Sequence, residues 1–194
     1  LLMSDCLGII NVEDPSDRRV EDYVNVTEAE LAHGRGVFIA ESPLVVRRLI
    51  AESRFPIRSV FLVETKVPAM RDALALLPAG VPVYVAPQTV MDRVAGFHVH
   101  RGCLAAGLRS ESPGLVELLS SLPPGPATVL AIEAVSNTDN VGSLFRNAAA
   151  LGVAAVLLDP SCADPLYRKA IRVSIGTTLT TPFARIRDWP VGLT

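Results

Sequence analysis

The run Thr128-Val129-Leu130-Ala131-Ile132-Glu133-Ala134-Val135, continued by Ser136-Asn137-Thr138-Asp139-Asn140-Val141-Gly142-Ser143-Leu144-Phe145-Arg146-Asn147-Ala148, decides how this chain is read. Its first half is an apolar run of strand length, and its second half is a polar turn that opens a helix over 141–151. A strand over 153–159, a helix over 164–175 and a strand over 179–183 follow. Strands that alternate with helices imply a parallel sheet. The polar turn then lies at the carboxyl edge of that sheet, where loops converge and helix amides point outward. Taken alone it has a plain structural explanation, with Asn140 as a cap, Gly142 allowing close packing and Arg146 a solvated helix residue. The helix that ends at Gly176 carries Arg168, Lys169 and Arg172. Arg168 and Arg172 share a face at i, i+4, though cations are also favoured near any helix C-terminus.

Upstream, 109–127 has the composition of a linker, with Ser110, Ser112, Pro113 and Gly114 at one end and Pro123-Pro124-Gly125-Pro126 at the other. A short helix over 115–122 is expected between them. Residues 1–108 form a first α/β domain. An acid-rich, helix-compatible segment spans 11–34, and Thr27-Glu28-Ala29-Glu30 resembles a capping box. Strands are expected over 36–40, 60–63, 81–85 and 102–108, and helices from Ser42-Pro43 onward, over 68–77 and over 87–94. The second domain is 128–194.

The chain has 194 residues, 49% hydrophobic and 20% charged, enough to bury a core and unlike a disordered segment. A net charge of -2 argues against coating nucleic acid by bulk charge, but leaves room for a local arginine patch. Cys6, Cys103 and Cys162 are far apart and without metal-ligand spacing, as expected of reduced thiols in a cytoplasmic protein. Charges or prolines interrupt every apolar run, so no membrane span is expected. No phosphate-loop or nucleophile-elbow motif occurs. Gly34-Arg35-Gly36 precedes a strand, the wrong side for a dinucleotide fingerprint. His33, His98 and His100 all lie in the first domain, which rules out a serine–histidine triad within the second.

Asn140-Val141-Gly142 with 146–152 resembles the first motif of SpoU/TrmH-type RNA methyltransferases of the SPOUT superfamily. The stretch 172–178 with Pro182-Phe183 resembles their second. Phe38-Ile39-Ala40-Glu41-Ser42 resembles the strand that opens the family's substrate-binding domain, and 100–105 its closing strand, where a glutamine often replaces Arg101. The likeness covers roughly residues 20–183. It implies an N-terminal L30e-like RNA-binding domain followed by a SPOUT domain, a Rossmann-like parallel sheet completed as an α/β knot. It also implies S-adenosylmethionine as cofactor, structured RNA (ribosomal or transfer) as partner, and a homodimer formed through the C-terminal domain. The family's third motif does not occur before Thr194, so this sequence reads as part of a longer or partly ordered protein, with most cofactor-binding residues expected beyond Thr194.

By the same resemblance Arg146 and Asn140 are the catalytic residues for 2'-O-methylation of ribose, Arg146 acting on the hydroxyl and Asn140 shaping the loop and orienting Arg146 or the substrate. A guanidinium stays protonated, so gripping a phosphate and stabilising charge on the ribose oxygen suit Arg146 better than abstracting a proton. Arg172 and Ser174 are expected to hold RNA or buttress the site, and Arg35 and Arg101 to reach RNA phosphates from the first domain. The rival reading is a non-catalytic RNA-binding protein that keeps the family fold. A small-molecule enzyme with an unrelated doubly wound sheet is a more distant one.

Overall fold

The structure is a computed structural model that describes residues 8–24, 27–28 and 30–191. Cys6 and the start Leu1-Leu2-Met3 lie outside the described residues. The chain divides into two compact units, Leu1–Arg109 and Ser110–Thr194.

The first unit is built on a five-stranded mixed sheet. Its strands are β1 (Ile9–Asn11), β2 (Val37–Glu41), β3 (Ile57–Val63), β4 (Val83–Ala86) and β5 (Cys103–Leu108), in the order β1-β4-β3-β5-β2. β4 runs parallel to β1 and β3, while β5 is antiparallel to β3 and β2. Helices α1 (Pro43–Glu52), α2 (Val67–Leu74) and α3 (Gln88–Ala95) supply the cover. The Ser42 hydroxyl accepts from the Val45 amide and Pro43 occupies the first turn, so α1 begins where the Ser-Pro pair places it. Alternate strand residues such as Phe61, Val63, Leu104 and Ala106 join Met91 and Val94 of α3 and Tyr23 in one buried cluster. The Tyr23 hydroxyl shares a 2.7 Å hydrogen bond with Ser59, and burial pushes its phenol well above the ordinary value. Phe38 lies across the β2–β5 pair over Gly107, where a Cβ would stand 2.2 Å from the ring.

Two expectations for this unit change. The acidic segment forms a 3-10 helix, Arg18–Tyr23, and a π-helix, Glu30–Gly34, in place of ordinary α-helix. The Thr27 and Glu30 side chains do cap reciprocally, each accepting from the other's amide at 2.9 and 3.2 Å. Strand β1 was not expected; three residues are too few for an alternation to register.

The second unit holds a fully parallel sheet, β6 (Val129–Ile132), β7 (Ala155–Leu158) and β8 (Phe183–Arg185), with β7 central and buried throughout. Helix α5 (Thr138–Ala150) connects β6 to β7, and α6 (Arg168–Val173) and α7 (Thr177–Thr180) connect β7 to β8. The stretch read as a linker contributes α4 (Leu115–Ser120), whose Leu118 packs with Ala155, Leu157, Ala184 and Ile186 in the core of this unit.

The expected 179–183 strand is a helical turn followed by a later, shorter strand. Ile175 and Gly176 both take left-handed backbone, at φ 56° and 79°, and Ser174 and Thr177 hydroxyls bond local carbonyls. That turn overrides the strand preference of the Thr-rich text. Similarly, the 164–175 helix begins only at Arg168, because Asp164 closes its own turn by accepting from the Leu166 amide at 2.8 Å. Among the described residues no helix is long and apolar enough to cross a membrane, and no cluster of side chains has metal-holding geometry.

Candidate active site

The carboxyl edge of the parallel sheet is organised by two residues that the sequence did not single out. Asp159, just past β7, accepts from the Ala134 amide at 3.1 Å and from the Cys162 amide at 2.8 Å, and from both the amide and hydroxyl of Ser161. Burial alone would raise its carboxyl, but the hydrogen bonds from Cys162, Ser161 and Ala134 outweigh it and hold it at about 2. Asp159 thereby ties the loop after β6 to the loop after β7. Ala134 takes a left-handed φ of 55° in the first of these loops, a conformation uncommon outside glycine. At the end of β8 the Arg185 guanidinium donates to the carbonyls of Asp159, Pro160 and Cys162 at 2.9–3.0 Å, fixing the second loop from the other side.

Helix α5 rises from that edge. Its cap is Asn137, not Asn140: the Asn137 side chain accepts from the amides of Asp139 and Asn140 at 2.8 and 3.2 Å. Asn140 is therefore in the first turn, with its side chain exposed. Val141, Gly142, Phe145 and Ala148 form the buried stripe, which leaves Arg146 on the exposed side with Asn140. Six residues of helix separate them by about 9 Å along the axis, so Asn140 does not orient Arg146 by direct contact.

Gly142 has a packing reason. A Cβ there would stand 2.7 Å from the Ala170 carbonyl oxygen and 3.0 Å from Val173, so α6 lies directly against α5. A Lys169–Asp139 ion pair of 2.7 Å joins the same two helices, which takes Lys169 out of the free basic face. Arg172 is exposed on α6. Ser174 is fully buried; its hydroxyl donates to the Ile171 carbonyl at 2.9 Å, so it buttresses the turn and offers no surface to RNA. In the first unit Arg35 is half-buried, bonded to the Glu21 carbonyl and 3.9 Å from the Asp22 carboxylate, while Arg101 is exposed. Cys103 and Cys162 are buried free thiols, and burial raises Cys103 to about 12, as expected of inert structural cysteines.

The model of the SpoU rRNA Methylase family matches residues 127–192, which hold β6, α5, the Asp159 loop and both candidate motifs. Over that segment the chain is similar to the SpoU rRNA methylase family. Along nearly its whole length the chain is also similar to an uncharacterized tRNA/rRNA methyltransferase of Mycobacterium bovis, 42% identical over 97% of this chain and 65% of that protein. The chain thus spans 65% of the length of that relative. Among solved structures, the AdoMet-bound rRNA methyltransferase of Sinorhizobium meliloti shares the fold at a TM-score of 0.72 and 21% identity, over 93% of this chain and 66% of that one. An RNA 2'-O ribose methyltransferase matches at a TM-score of 0.70 and 18% identity, over 95% of this chain and 68% of that one. Within the matched segment, α5 carries Asn140 and Arg146 outward from the carboxyl edge of the parallel sheet, and α6 and the turn at Ile175-Gly176 hold the stretch that resembles the second motif.

Proposed function

We propose that this protein transfers the methyl group of S-adenosylmethionine to a ribose 2'-hydroxyl of ribosomal or transfer RNA. The observation that carries the reading is the exposed Arg146 on a helix that opens at the carboxyl edge of a SpoU parallel sheet. The names of the similar proteins support the reaction class, and that of one solved neighbour supports the 2'-O position.

When bound, S-adenosylmethionine supplies an electrophilic methyl group on a positively charged sulfur. The polar loop that Asp159 pins at the carboxyl edge of the sheet suits one flank of such a zwitterionic ligand. This chain's own residues act on the acceptor. Arg146 grips a phosphate of the target nucleotide, orients its ribose and stabilises the negative charge that develops on the 2'-oxygen. Its guanidinium keeps its proton, so the hydroxyl proton passes to a phosphate, a water or another residue. Asn140 shapes the first turn of α5, and Arg172 adds a second phosphate contact. The first unit, in this reading an L30e-like module, selects the RNA by shape. The working form is a cytoplasmic homodimer joined through the C-terminal domain.

The test is transfer of label from methyl-tritiated S-adenosylmethionine to ribosomal and transfer RNA, followed by alkaline hydrolysis. A 2'-O-methyl group blocks cleavage at its own phosphodiester, so label should appear in alkali-resistant dinucleotides. Label in mononucleotides would mean base methylation and overturn the 2'-O assignment. RNA binding without any transfer would favour the non-catalytic reading.

A further inference from the structure

We infer that the cleft lined by Arg18, Arg58 and Tyr84 in the first unit seats one phosphodiester of the RNA backbone. The inference rests on the RNA reading above and names a contact outside both motifs.

The cleft has a volume of about 280 Å³ and is walled by the 3-10 helix Arg18–Tyr23 and by early residues of β3 and β4. That is small for a site of a drug-sized ligand and suits a single compact group. Asp22 is part of its wall and is 5% exposed. Arg58 Nε stands 2.8 Å from one oxygen of this carboxylate, Oδ2. The other, Oδ1, accepts no hydrogen bond and has Arg35 Nη1 3.9 Å away.

A buried carboxylate requires a cation, which gives Asp22 a structural reason to hold Arg58. That reason accounts for Nε alone. A clasp between helices looks different in this same unit: Arg47 meets Asp72 with both Nη groups, at 2.6 and 2.7 Å. Arg58 is gripped from the side, and its two Nη groups bond to none of the described residues. Its side chain is 44% exposed. An anchored guanidinium with an open Nη pair is a preset fork for the oxygens of a phosphate.

Two more donors line the cleft. Arg18 is exposed and pairs with no described residue, whereas Arg19 is committed to Asp17 through Nε and Nη2. The Tyr84 hydroxyl bonds to no described group, while the hydroxyls of Tyr23 and Ser59 are bonded to each other at 2.7 Å. Burial raises the Tyr84 phenol, which keeps it a donor, and the charges of Arg19 and Arg58 pull it the other way, so both guanidiniums stand near its oxygen.

Charge decides what fits. With Arg35 included, four guanidiniums stand against the carboxylates of Asp17, Glu21 and Asp22, which leaves one positive charge unbalanced. One positive charge matches a singly charged phosphodiester better than a doubly charged phosphomonoester, and the arginines repel a metal cation. A contact of this kind positions an RNA without reading its sequence.

The test is filter binding of bulk ribosomal and transfer RNA between 50 and 200 mM salt. Arg18→Gln removes a charge that the fold does not use, and Arg58→Lys keeps a cation for Asp22 but removes the Nη fork. Each should weaken binding about fivefold at 0.1 M salt, and Arg18→Gln should make the slope of log affinity against log salt shallower by about 0.7. Circular dichroism should be unchanged for both. Arg71→Gln, at an exposed arginine of α2 away from the cleft, should leave affinity as it is. Wild-type affinity in both cleft variants would overturn the seat and leave the RNA reading standing. An equal loss in Arg71→Gln would also overturn it, since the effect would then be one of general charge. Displacement of the RNA by adenosine 5'-monophosphate from wild type, but not from Arg18→Gln, would assign the cleft to a mononucleotide and overturn the phosphodiester. Failure of the wild type to bind RNA would overturn the RNA reading and the seat with it.

Discussion

Arg146 and Asp159 show two ways in which a single residue matters at this sheet edge. Arg146 makes no demand on the fold: it is exposed on α5, so Arg146→Ala should leave stability within about 0.5 kcal/mol. It should abolish methyl transfer while sparing S-adenosylmethionine binding by calorimetry; near-normal transfer would sink the role given to it. Asp159 is the opposite case. Its carboxyl is depressed to about 2, so it contributes stability in full above the ordinary carboxylate value and loses it as pH falls from about 4 towards 2. Asp159→Asn places an amide donor among amide donors. The variant should unfold at lower urea than wild type at pH 7, and the two midpoints should converge as the pH is lowered to 2.5. Arg146 was legible because its motif is local in sequence. Asp159 and Arg185 were not, since they act on backbone atoms up to 26 residues away, and spacing does not separate Asn137 from Asn140 because either asparagine can cap.

Between elements, the α5–α6 contact is the sensitive joint. Gly142 lets the Ala170 backbone approach, and no flexible side chain can yield there. Gly142→Val should cost about 1–3 kcal/mol by overpacking, seen as a melting temperature lower by roughly 4–15 °C. An unchanged melting temperature would mean that α6 can slide aside. Strong periodic elements such as β3, α1 and α5 were readable from the sequence to within a few residues. The segment after α6 was not: threonine-rich text favours strand, and the left-handed pair Ile175-Gly176 turns the chain first. Leu115 and Leu118 looked like linker helix because their partners, Ala155 to Ile186, lie far along the chain.

At the scale of the whole molecule, the net charge is -2, so the RNA affinity proposed for it must come from a few placed cations instead of a general field. Arg101, Arg146 and Arg172 are exposed on described elements or loops. Three phosphate contacts predict a slope of about -2 for log affinity against log salt, measured by filter binding between 50 and 200 mM. A slope near zero would mean that stacking and shape dominate; a slope several times steeper would require a larger basic face than these arginines form.

The sequence by itself determined the alternation of strands and helices, the polar turn at a strand's carboxyl end and the motif that carries Arg146. All three are local: they depend on side-chain period, turn chemistry and spacing within about a dozen residues. Tertiary structure alone decided that Asn137 caps α5, that Ser174 is buried, that Lys169 is spent on Asp139, and that Asp159 and Arg185 hold the loops of the site. Each of these depends on which distant backbone atoms and charges the fold brings within hydrogen-bond reach, a distance that no spacing along the chain encodes.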